Sequence, residues 1–547
     1  MSEDLDVLVL GAGPNGLTCA AYLAAAGARV RVLERNVESG GGLTSQELSG
    51  FTFNSHAIYM LLAELMPPYH DLGLADYGVS FVRPDVQAAF LFDGASLVLH
   101  SDPDASVAGV AALSPGDGAR FRELYEDFRR ASEEFIIPAT YVGPVEPLDQ
   151  IEMLEQGGEL GRWLNELAEL TPREVIHGYG FDDERVEAAL VYLASMFGLD
   201  PDGGGMGFLA PIYVYRLMQA ALVRGGSHQM ASALRRALEA NGGQVVTAAC
   251  VREVLREASP GGRVTGVRLD DGSVIRARAV VSTLNPEQNF LQLLDPDGLD
   301  PGVVEAARAW EWDETSLFVA NWGVVGEAPR YQGYPDEVSS SLNVVMGVES
   351  VSDVVAHFEA ARTGRVPDGK VGHATCPSLF DPLAAAHHLP EYGNCEVLRW
   401  ECLAPYGVDW SAAKHELADR AFEEWSRHAP NLAGSNVRIA LPWSPADIEE
   451  HIPSMRRGAI KHGAYISIQM GYNRPSAECS SYRTPVEGFY VAGASTHPGG
   501  MVLLGAGYNA ARVVAEDLGL RIWWDVPPQV QAAIDRGYLP PVALGSS

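Results

Sequence analysis

At the start of the chain, the distribution of apolar and polar residues predicts a strand, a helix and a second strand. Residues 6–10 (DVLVL) are almost entirely apolar, which is typical of a buried parallel strand. An alanine-rich helical stretch then continues to Ala26, and Gly27 provides a stop signal. Residues 29–33 (RVRVL) alternate between polar and apolar positions, as a second strand does. This order of elements predicts a parallel α/β unit.

The middle of the chain predicts a second group of strands. They cover residues 244–247, 251–257, 263–269, 273–277 and 279–282. Strong turn signals separate them, at Ser259-Pro260-Gly261-Gly262 and at Asp270-Asp271-Gly272. The last of these runs (AVVS) is almost entirely apolar, which indicates a return to a buried sheet. We therefore predict an antiparallel insertion between parallel strands.

Two further blocks, residues 86–215 and 301–440, contain most of the aromatic residues and helix-periodic runs. One apolar helix face is predicted by the i, i+3, i+4, i+7 spacing of Phe121, Leu124, Tyr125 and Phe128. Residues 418–425 predict another helix. An aromatic residue at helical spacing more often belongs to a core than to a cavity wall, so we predict no substrate contacts in these blocks.

Near the C-terminal end the order of strand, glycine-rich loop and helix returns. Residues 489–492 are a short apolar run, and Gly493 begins the loop that contains Gly499-Gly500-Met501-Val502. A helix is predicted to begin near Gly505. The N-terminus of such a helix is a favourable place for an anionic or electron-rich group.

Composition and charge exclude several classes of function. Of the 547 residues, 47% are hydrophobic and 20% charged, so the chain can bury a large core. Lys and Arg number 39 against 71 Asp and Glu, and the net charge of −32 at pH 7 argues against nucleic acids and anionic membranes as partners. The six cysteines have no C-x-x-C or zinc-finger spacing, so we predict no metal site and reduced thiols in a cytoplasmic protein. No run of about 18 apolar residues predicts a transmembrane segment.

The turn between the first strand and the first helix has the spacing G-x-G-x-x-G. Gly11 permits the tight turn, Gly13 allows a pyrophosphate to approach the backbone, and Gly16 allows helix and strand to pack closely. Glu34 stands at the end of the second strand, 18 residues after Gly16, where a carboxylate can bond the ribose hydroxyls of an adenosine. Strand, helix, second strand and acid together predict a dinucleotide site.

A second glycine cluster, Gly40-Gly41-Gly42, follows Glu34 and Arg35 closely. NAD binding does not need this cluster, whereas a backbone passing close to a longer cofactor does. The segment resembles the diglycine segment of the flavoprotein superfamily of amine oxidases and carotenoid desaturases, and the resemblance implies FAD. Gly42 stands where many members carry arginine, so backbone amides are expected to replace that contact. Arg35, Gly41 and Gly42 are thus candidate FAD-binding residues.

The C-terminal segment makes this resemblance more specific. Residues 482–511 resemble the C-terminal signature of the phytoene dehydrogenase-like family, nearest to its branch of pyridine nucleotide-disulphide oxidoreductase domain-containing protein 2. Residues 225–227, 377–382 and 457–463 resemble further elements of that family in the same order. The resemblance implies cofactor contacts by Gly493, Gly500, Met501, Val502 and, beside the adenine, Val251. No second G-x-G-x-x-G and no C-x-x-C occurs, so neither an NAD(P)H domain nor a disulphide reductase is expected.

The predicted fold is α/β. It combines a Rossmann-like FAD-binding domain of the amine oxidase/carotenoid desaturase type, discontinuous in sequence, with an inserted α+β substrate domain. The FAD-binding domain is expected to comprise residues 1–85, 216–300 and 441–520, and the substrate domain residues 86–215 and 301–440. Residues 521–547 form a C-terminal tail, which contains two tryptophans and either caps the domain or contacts a partner.

Three histidines are candidate catalytic residues, because removing a hydride from one carbon and a proton from its neighbour requires a base. His497 lies in the loop before the last helix, and the alternative is that it bonds the backbone and shapes that loop. His56 stands where the desaturases resembling this chain usually have glycine, which suggests a role in the active site. The alternative is that His56 is a histidine of the core without a catalytic role. His462, beside Lys461 and near Tyr465, is the third candidate.

The leading hypothesis is an FAD-dependent oxidoreductase that dehydrogenates a C–C bond of a largely apolar, isoprenoid- or polyene-like small molecule by hydride transfer to flavin N5. The acidic chain and the polar His56 leave an alternative, a soluble oxidase or dehydrogenase of a smaller polar or aromatic molecule such as an amine. Redox-neutral alkene isomerisation or saturation also stays open, as does a flavoprotein that acts only as an interaction module. The electron acceptor, oxygen or a quinone, and a homo-oligomer are open as well.

Overall fold

The computed structural model describes residues 5–259, 262–386, 389 and 392–542. The centre of the predicted Pro260-Gly261 turn and the last five residues of the predicted tail lie outside this part of the chain. The described strands are β1 (Leu5–Leu10), β2 (Val30–Leu33), β3 (Ser45–Leu48), β4 (Phe51–Asn54), β5 (Tyr59–Leu61), β6 (Phe81–Val82), β7 (Val86–Phe92), β8 (Ala95–His100), β9 (Ala220–Val223), β10 (Gln244–Val246), β11 (Val251–Arg256), β12 (Val264–Leu269), β13 (Val274–Ser282), β14 (Thr315–Val325), β15 (Asn343–Met346), β16 (Gly372–Thr375), β17 (Cys395–Pro405), β18 (Val437–Trp443) and β19 (Phe489–Val491).

The α-helices of the same residues connect and cover these strands. They are α1 (Pro14–Ala25), α2 (Pro67–Asp71), α3 (Pro103–Leu113), α4 (Asp117–Ala131), α5 (Ile137–Thr140), α6 (Pro147–Gln156), α7 (Gly158–Leu167), α8 (Pro172–His177), α9 (Glu184–Ser195), α10 (Ala210–Leu217), α11 (His228–Ala240), α12 (Pro301–Arg308), α13 (Val351–Arg362), α14 (Trp410–His428), α15 (Pro445–His451), α16 (Gly505–Leu518) and α17 (Pro528–Asp535).

The first sheet contains the parallel unit predicted from the N-terminal pattern. Strands β10, β2, β1, β13 and β19 lie side by side in parallel, although they come from both ends and the middle of the chain. The carboxyl ends of β1, β2, β13 and β19 therefore meet at one edge of the sheet. In open parallel sheets, ligands bind outside that edge.

Strand β13 joins the antiparallel insertion to this parallel sheet. We predicted two strands here, over 273–277 and 279–282, but the structure has one continuous strand. Its first part pairs antiparallel with β12, with Ile275 opposite Val267, and its last part pairs in parallel with β1 and β19. Arg278 does not interrupt the strand, because its side chain is on the solvent side and reaches the Asp6 carboxylate at 3.5 Å.

The second sheet is built mainly from residues predicted for the substrate domain, in the order β18-β14-β17-β16-β15-β7-β8. Strands β14 and β17 pair antiparallel along their whole length, and β15 pairs in parallel with β7. Strand β18 extends across the boundary that we expected between residues 440 and 441. The limits of the FAD-binding domain and the substrate domain stay a prediction. The three-stranded sheet β5-β9-β6 and the hairpin β3–β4 contain the remaining described strands.

The predicted helices are confirmed. The four aromatic and aliphatic residues of the α4 face are each at most 5% exposed, namely Phe121, Leu124, Tyr125 and Phe128. Helix α14 includes the predicted 418–425 segment. Within the described residues, no helix has the length and apolar composition that crossing a membrane requires. The six cysteines are free thiols, five of them buried and Cys250 exposed.

The described part of the C-terminal tail covers helix α1. Trp523 donates its indole N–H to the Tyr22 carbonyl at 3.1 Å and stacks on the Tyr22 ring with the centroids 5.4 Å apart. Trp524 is 4% exposed and meets the Tyr22 ring edge-on at 4.8 Å. These contacts correspond to the first of the two alternatives for the tail, in which it caps the domain.

We predict that Trp524→Ala lowers the free energy of unfolding by about 3–5 kcal/mol, because it removes a buried indole from this aromatic cluster. Urea denaturation monitored by circular dichroism measures the change. Val37→Ala, at a side chain that is 79% exposed, is the control and should leave the midpoint unchanged. Equal midpoints for the two variants would contradict a stabilising role for the tail.

Candidate cofactor and substrate site

A cavity of about 330 Å3 lies at the carboxyl edge of the first sheet. It brings together all the residues predicted from the sequence for cofactor binding. These are Gly11, Gly13, Gly16, Glu34, Arg35, Gly41, Gly42, Val251, Gly493, Gly500, Met501 and Val502. Residues from both ends and the middle of the chain thus form one wall, and we call the space that it encloses the cofactor cavity.

The glycine-rich turn has the geometry of a phosphate cradle. Gly11 has a φ of +96°, and a Cβ at Gly16 would lie 2.0 Å from the Gly11 carbonyl oxygen, so both positions require glycine. A Cβ at Gly13, in contrast, would have no neighbour within 4 Å, because it would enter the cofactor cavity. The backbone here is open to a bound group, and helix α1 begins directly behind it, where its first amides are free to bind phosphate. These residues fit the pyrophosphate of FAD.

Glu34 is held in a fixed orientation at the same cavity. It is 8% exposed, and its two carboxylate oxygens accept backbone N–H groups from Ala12 at 2.9 Å and Asn36 at 2.8 Å. A carboxylate has about four lone-pair sites, so both oxygens can also accept ribose hydroxyls. Arg35 and Val251 line the cavity with it.

The loop after β19 lines the cofactor cavity with Met501 and Val502, and its backbone is unusual at these residues and just beyond them. Met501, Val502 and Leu504 have φ values of +70°, +58° and +61°, which side-chain-bearing residues rarely adopt. Such outliers persist only where the surrounding structure holds them, and they concentrate at ligand sites. Met501 is also part of the wall of a second cavity, so it lies where the two cavities meet.

Sequence reasoning missed several residues of the cofactor cavity. Thr283 follows β13 directly and donates its hydroxyl to the Leu10 carbonyl at 2.8 Å. The rule that ligands bind at the carboxyl ends of parallel strands could have identified it. His451, at the end of α15, and Ser454, just after it, line the same cavity and had no signal in the sequence.

The second cavity, which we call the substrate cavity, has a volume of about 540 Å3 and a mainly apolar wall. Helices α5, α6, α7 and α10 and the segment around Tyr465 contribute to it. Among the described residues that line it there is no Asp or Glu. The structure therefore places a large apolar chamber beside the cofactor cavity.

We call Tyr465, which lines the substrate cavity, and the fully buried Arg474 beside it the partition, because their bonds join the walls of the two cavities. The Tyr465 hydroxyl accepts the backbone N–H of Gly500 at 2.8 Å, and the Arg474 guanidinium lies 4.9 Å from the centre of the Tyr465 ring. Arg474 donates to the carbonyl oxygens of Lys461 and Ala494 at 2.8 and 3.1 Å. This guanidinium thereby joins the segment before the last strand to the loop after it.

The three candidate histidines are not brought together. His497 lines the substrate cavity and His462 the cofactor cavity, whereas His56 lines neither. The His56 ring instead bonds His451, with Nε2 of the former 2.8 Å from Nδ1 of the latter. Burial, followed by the proximity of His451 and Arg399, lowers the pKa of His56 to about 3.

His497 is neutral and has a defined tautomer. Its Nε2 lies 2.9 Å from the Ala139 carbonyl, which can only accept, so Nε2 carries the proton and Nδ1 is the basic nitrogen. Burial lowers the pKa of His497 to about 4, against the opposing effect of this hydrogen bond. His497 thus bonds the backbone, which was the alternative to a catalytic role, and it also faces the substrate cavity.

His462 has a buried ring nitrogen without a partner among the described residues. The side chain is 8% exposed, and its Nδ1 makes no hydrogen bond. Burial and the Arg474 guanidinium lower the pKa of His462 to about 4, so the ring is neutral at pH 7. An unsatisfied polar atom beside the cofactor cavity fits a bound group that supplies the missing hydrogen bond.

Comparison with known proteins agrees with this geometry. The family model described as flavin containing amine oxidoreductase matches residues 15–318, more than half of the chain. A subunit of the limonene dehydrogenase of Castellaniella defragrans is 40% identical over 98% of this chain and 100% of its own length. The pyridine nucleotide-disulfide oxidoreductase domain-containing protein 2 of Rattus norvegicus is 27% identical over 95% of this chain and 94% of its own. The resemblance predicted from the sequence is confirmed.

A solved structure supports the fold. An oxidoreductase from Methanosarcina mazei superposes with a TM-score of 0.58 at 17% identity, over 93% of this chain and 99% of its own. At this identity the likeness concerns the fold alone. Together with the family match it confirms the predicted α/β fold.

We predict that Gly13→Val yields a folded protein without bound FAD, because the new side chain enters the cofactor cavity. The φ of −76° at Gly13 is accessible to valine, so the backbone need not change. The yellow flavin absorption of the purified protein and its circular dichroism spectrum measure the two effects. Gly434→Val, at an exposed glycine with nothing within 4 Å of a new Cβ, is the matched control and should stay yellow. A yellow Gly13→Val protein would refute the placement of the pyrophosphate.

Proposed function

The chain belongs to the flavin containing amine oxidoreductase family and is an FAD-dependent oxidoreductase, and from this premise we propose that it dehydrogenates a largely apolar, isoprenoid-like substrate. Limonene, the compound in the name of the 40% identical relative, is an isoprenoid hydrocarbon. The cavity beside the cofactor supports the same class of substrate, because most of its wall is apolar.

The observation that carries the proposal is the absence of carboxylates from the described wall of the substrate cavity. A protonated amine entering an apolar chamber needs a negative partner, because an unpaired buried charge is costly. Among the described residues of that wall the one charged side chain is Arg216, which would repel an ammonium group. This arrangement favours an uncharged or oxygen-bearing apolar molecule over an amine.

When bound, FAD accepts a hydride from the substrate carbon. The remaining requirement of dehydrogenation is a proton acceptor in contact with the substrate, and we propose His497 for this role. Its basic Nδ1 is unprotonated at neutral pH, and the Ala139 carbonyl fixes the ring orientation. Loss of a hydride from one carbon and of a proton to His497 from the adjacent carbon leaves a C=C bond.

His462 and the partition around Tyr465 have a different role in this proposal. They support the cofactor end of the site, because the Gly500 N–H is fixed by the Tyr465 hydroxyl and the Nδ1 of His462 is available to a bound group. His56 lines neither cavity, and its connection to the cofactor cavity is the bond of its ring to His451. The electron acceptor, oxygen or a quinone, a homo-oligomeric state and a cytoplasmic location stay predictions.

Anaerobic reduction of the bound flavin tests the proposed function. Isoprenoids of about ten carbons should bleach the flavin of the holoenzyme, because they fit the apolar chamber, whereas primary amines of similar length should not. Stopped-flow absorbance measures both rates. Bleaching by amines and not by isoprenoids would contradict the proposal and favour the amine oxidase-like alternative.

We predict that His497→Ala slows flavin reduction by about 10²- to 10⁴-fold without loss of FAD, as removal of a general base does. Because the pKa of His497 is lowered to about 4, the base is neutral throughout the neutral range. The wild-type rate should therefore stay constant as the pH falls through 6.5, the ordinary value for histidine, and decline only toward pH 4.

The residue His428, on α14, provides the matched control, since His428→Ala removes an imidazole outside both cavities. Its reduction rate should equal that of the wild type. His56→Ala should slow reduction less than His497→Ala does, because His56 contacts neither cavity. An unchanged rate in His497→Ala would remove that residue as the base.

A further inference from the structure

Helix α10 brings one cation to the wall of the otherwise apolar substrate cavity. Arg216 and Tyr213 lie one helical turn apart on this helix and both line the cavity. Arg216 is 2% exposed and Tyr213 is 1% exposed. The Arg216 guanidinium packs over the Tyr213 ring, 4.4 Å from its centre.

Arg216 lacks the partners that other buried arginines of this chain have. Arg399 is bonded to the Glu401 carboxylate at 2.6 Å, and Arg474 donates to several carbonyl oxygens. Within the described residues, in contrast, Nε and Nη2 of Arg216 make no hydrogen bond, and neither does the hydroxyl of Tyr213. These three polar atoms are buried next to one another in residues of the cavity wall, and their hydrogen-bonding capacity is unused.

A buried guanidinium without a negative partner is energetically unfavourable. Burial lowers the pKa of Arg216, but arginine does not lose its proton in proteins, so it cannot escape the cost by becoming neutral. No Asp or Glu from the described residues lines the cavity to compensate it. An anionic group on a molecule in the cavity would supply the missing negative partner.

We propose that Arg216 binds a carboxylate of the substrate, with the Tyr213 hydroxyl as a second donor. This inference rests on the proposed function and narrows it, because the substrate would be an isoprenoid chain that ends in an acid rather than a hydrocarbon. Guanidinium groups bind carboxylates with two parallel N–H donors, which an alcohol or an alkene cannot match. The apolar remainder of the cavity would hold the chain.

Arg216 is close enough to the partition to orient such a substrate. Tyr465 lines the same cavity as Arg216, and its hydroxyl accepts the N–H of Gly500, which lines the cofactor cavity. A substrate anchored by its carboxylate would thus have its chain directed within the cavity that His497 also lines. Anchoring at one end fixes which carbons reach the reactive centre.

Equilibrium binding to the holoenzyme tests the proposal, with the perturbation of the flavin absorption as readout. The probes are a ten-carbon acyclic isoprenoid carboxylic acid and the hydrocarbon of the same skeleton. The wild type should bind the acid at least about 30-fold more tightly, and Arg216→Met should remove this preference while hydrocarbon binding changes little. Arg216→Lys keeps the charge without the planar fork and should retain part of the preference.

Arg330→Met, at a surface arginine paired with Glu327, controls for the loss of one positive charge and should bind both probes as the wild type does. FAD content and thermal midpoint verify that each variant is folded, and Tyr213→Phe provides a second variant at the same site if Arg216→Met does not fold. Tyr213→Phe should weaken binding of the acid and leave that of the hydrocarbon unchanged.

Equal affinity of the wild type for the two probes, or an equal loss of both in Arg216→Met, would overturn the proposal. The second result would assign Arg216 to the cofactor or to the fold. A wrong proposed function would give a different result. In that case neither probe would bleach the flavin anaerobically, although the protein would still bind the acid more tightly than the hydrocarbon. Bleaching by the hydrocarbon without any preference for the acid would retain the function and reject the carboxylate site.

Discussion

The buried guanidinium of Arg474 holds the two cavities in one arrangement. It donates to carbonyl oxygens on the segment that carries His462 and on the loop that follows β19, and the backbone carbonyl of Arg474 accepts the N–H of His497. A fully buried cation is tolerated only while its donors are satisfied. The segments that it joins therefore cannot move apart independently, and the cofactor wall and the substrate wall behave as one unit.

The strong acidity of the chain and the character of the site are separate properties. Of 71 Asp and Glu residues in the sequence, the described buried ones are six, namely Glu34, Asp117, Glu187, Asp313, Asp381 and Glu401. None of them lines the substrate cavity, whose charged member among the described residues is a cation. The net charge of a protein governs its interaction with nucleic acids and membranes. Which ligands a cavity binds depends instead on the desolvated groups that line it.

The sequence predicted the part of the site that depends on backbone geometry. Gly11, Gly13 and Glu34 could be named as candidates, and they do line the cofactor cavity, because tight turns and ribose binding restrict the residue types at a fixed spacing. Arg216 could not, because a single arginine in an apolar helix has no periodic signature, and its isolation depends on distant segments. The continuity of β13 was missed for a related reason, since one exposed arginine between two apolar runs resembles a break.

The route of the chain through the first sheet has a consequence for biosynthesis. Strand β13 needs β19 as its parallel neighbour, and the two are separated by the whole segment between Ser282 and Phe489. During translation this edge of β13 therefore stays unpaired until residues 489–491 have left the ribosome, and an unpaired edge is prone to aggregation. Gly493, Gly500, Met501 and Val502 follow β19 in the chain, so the wall of the cofactor cavity is complete only after this strand has been synthesised.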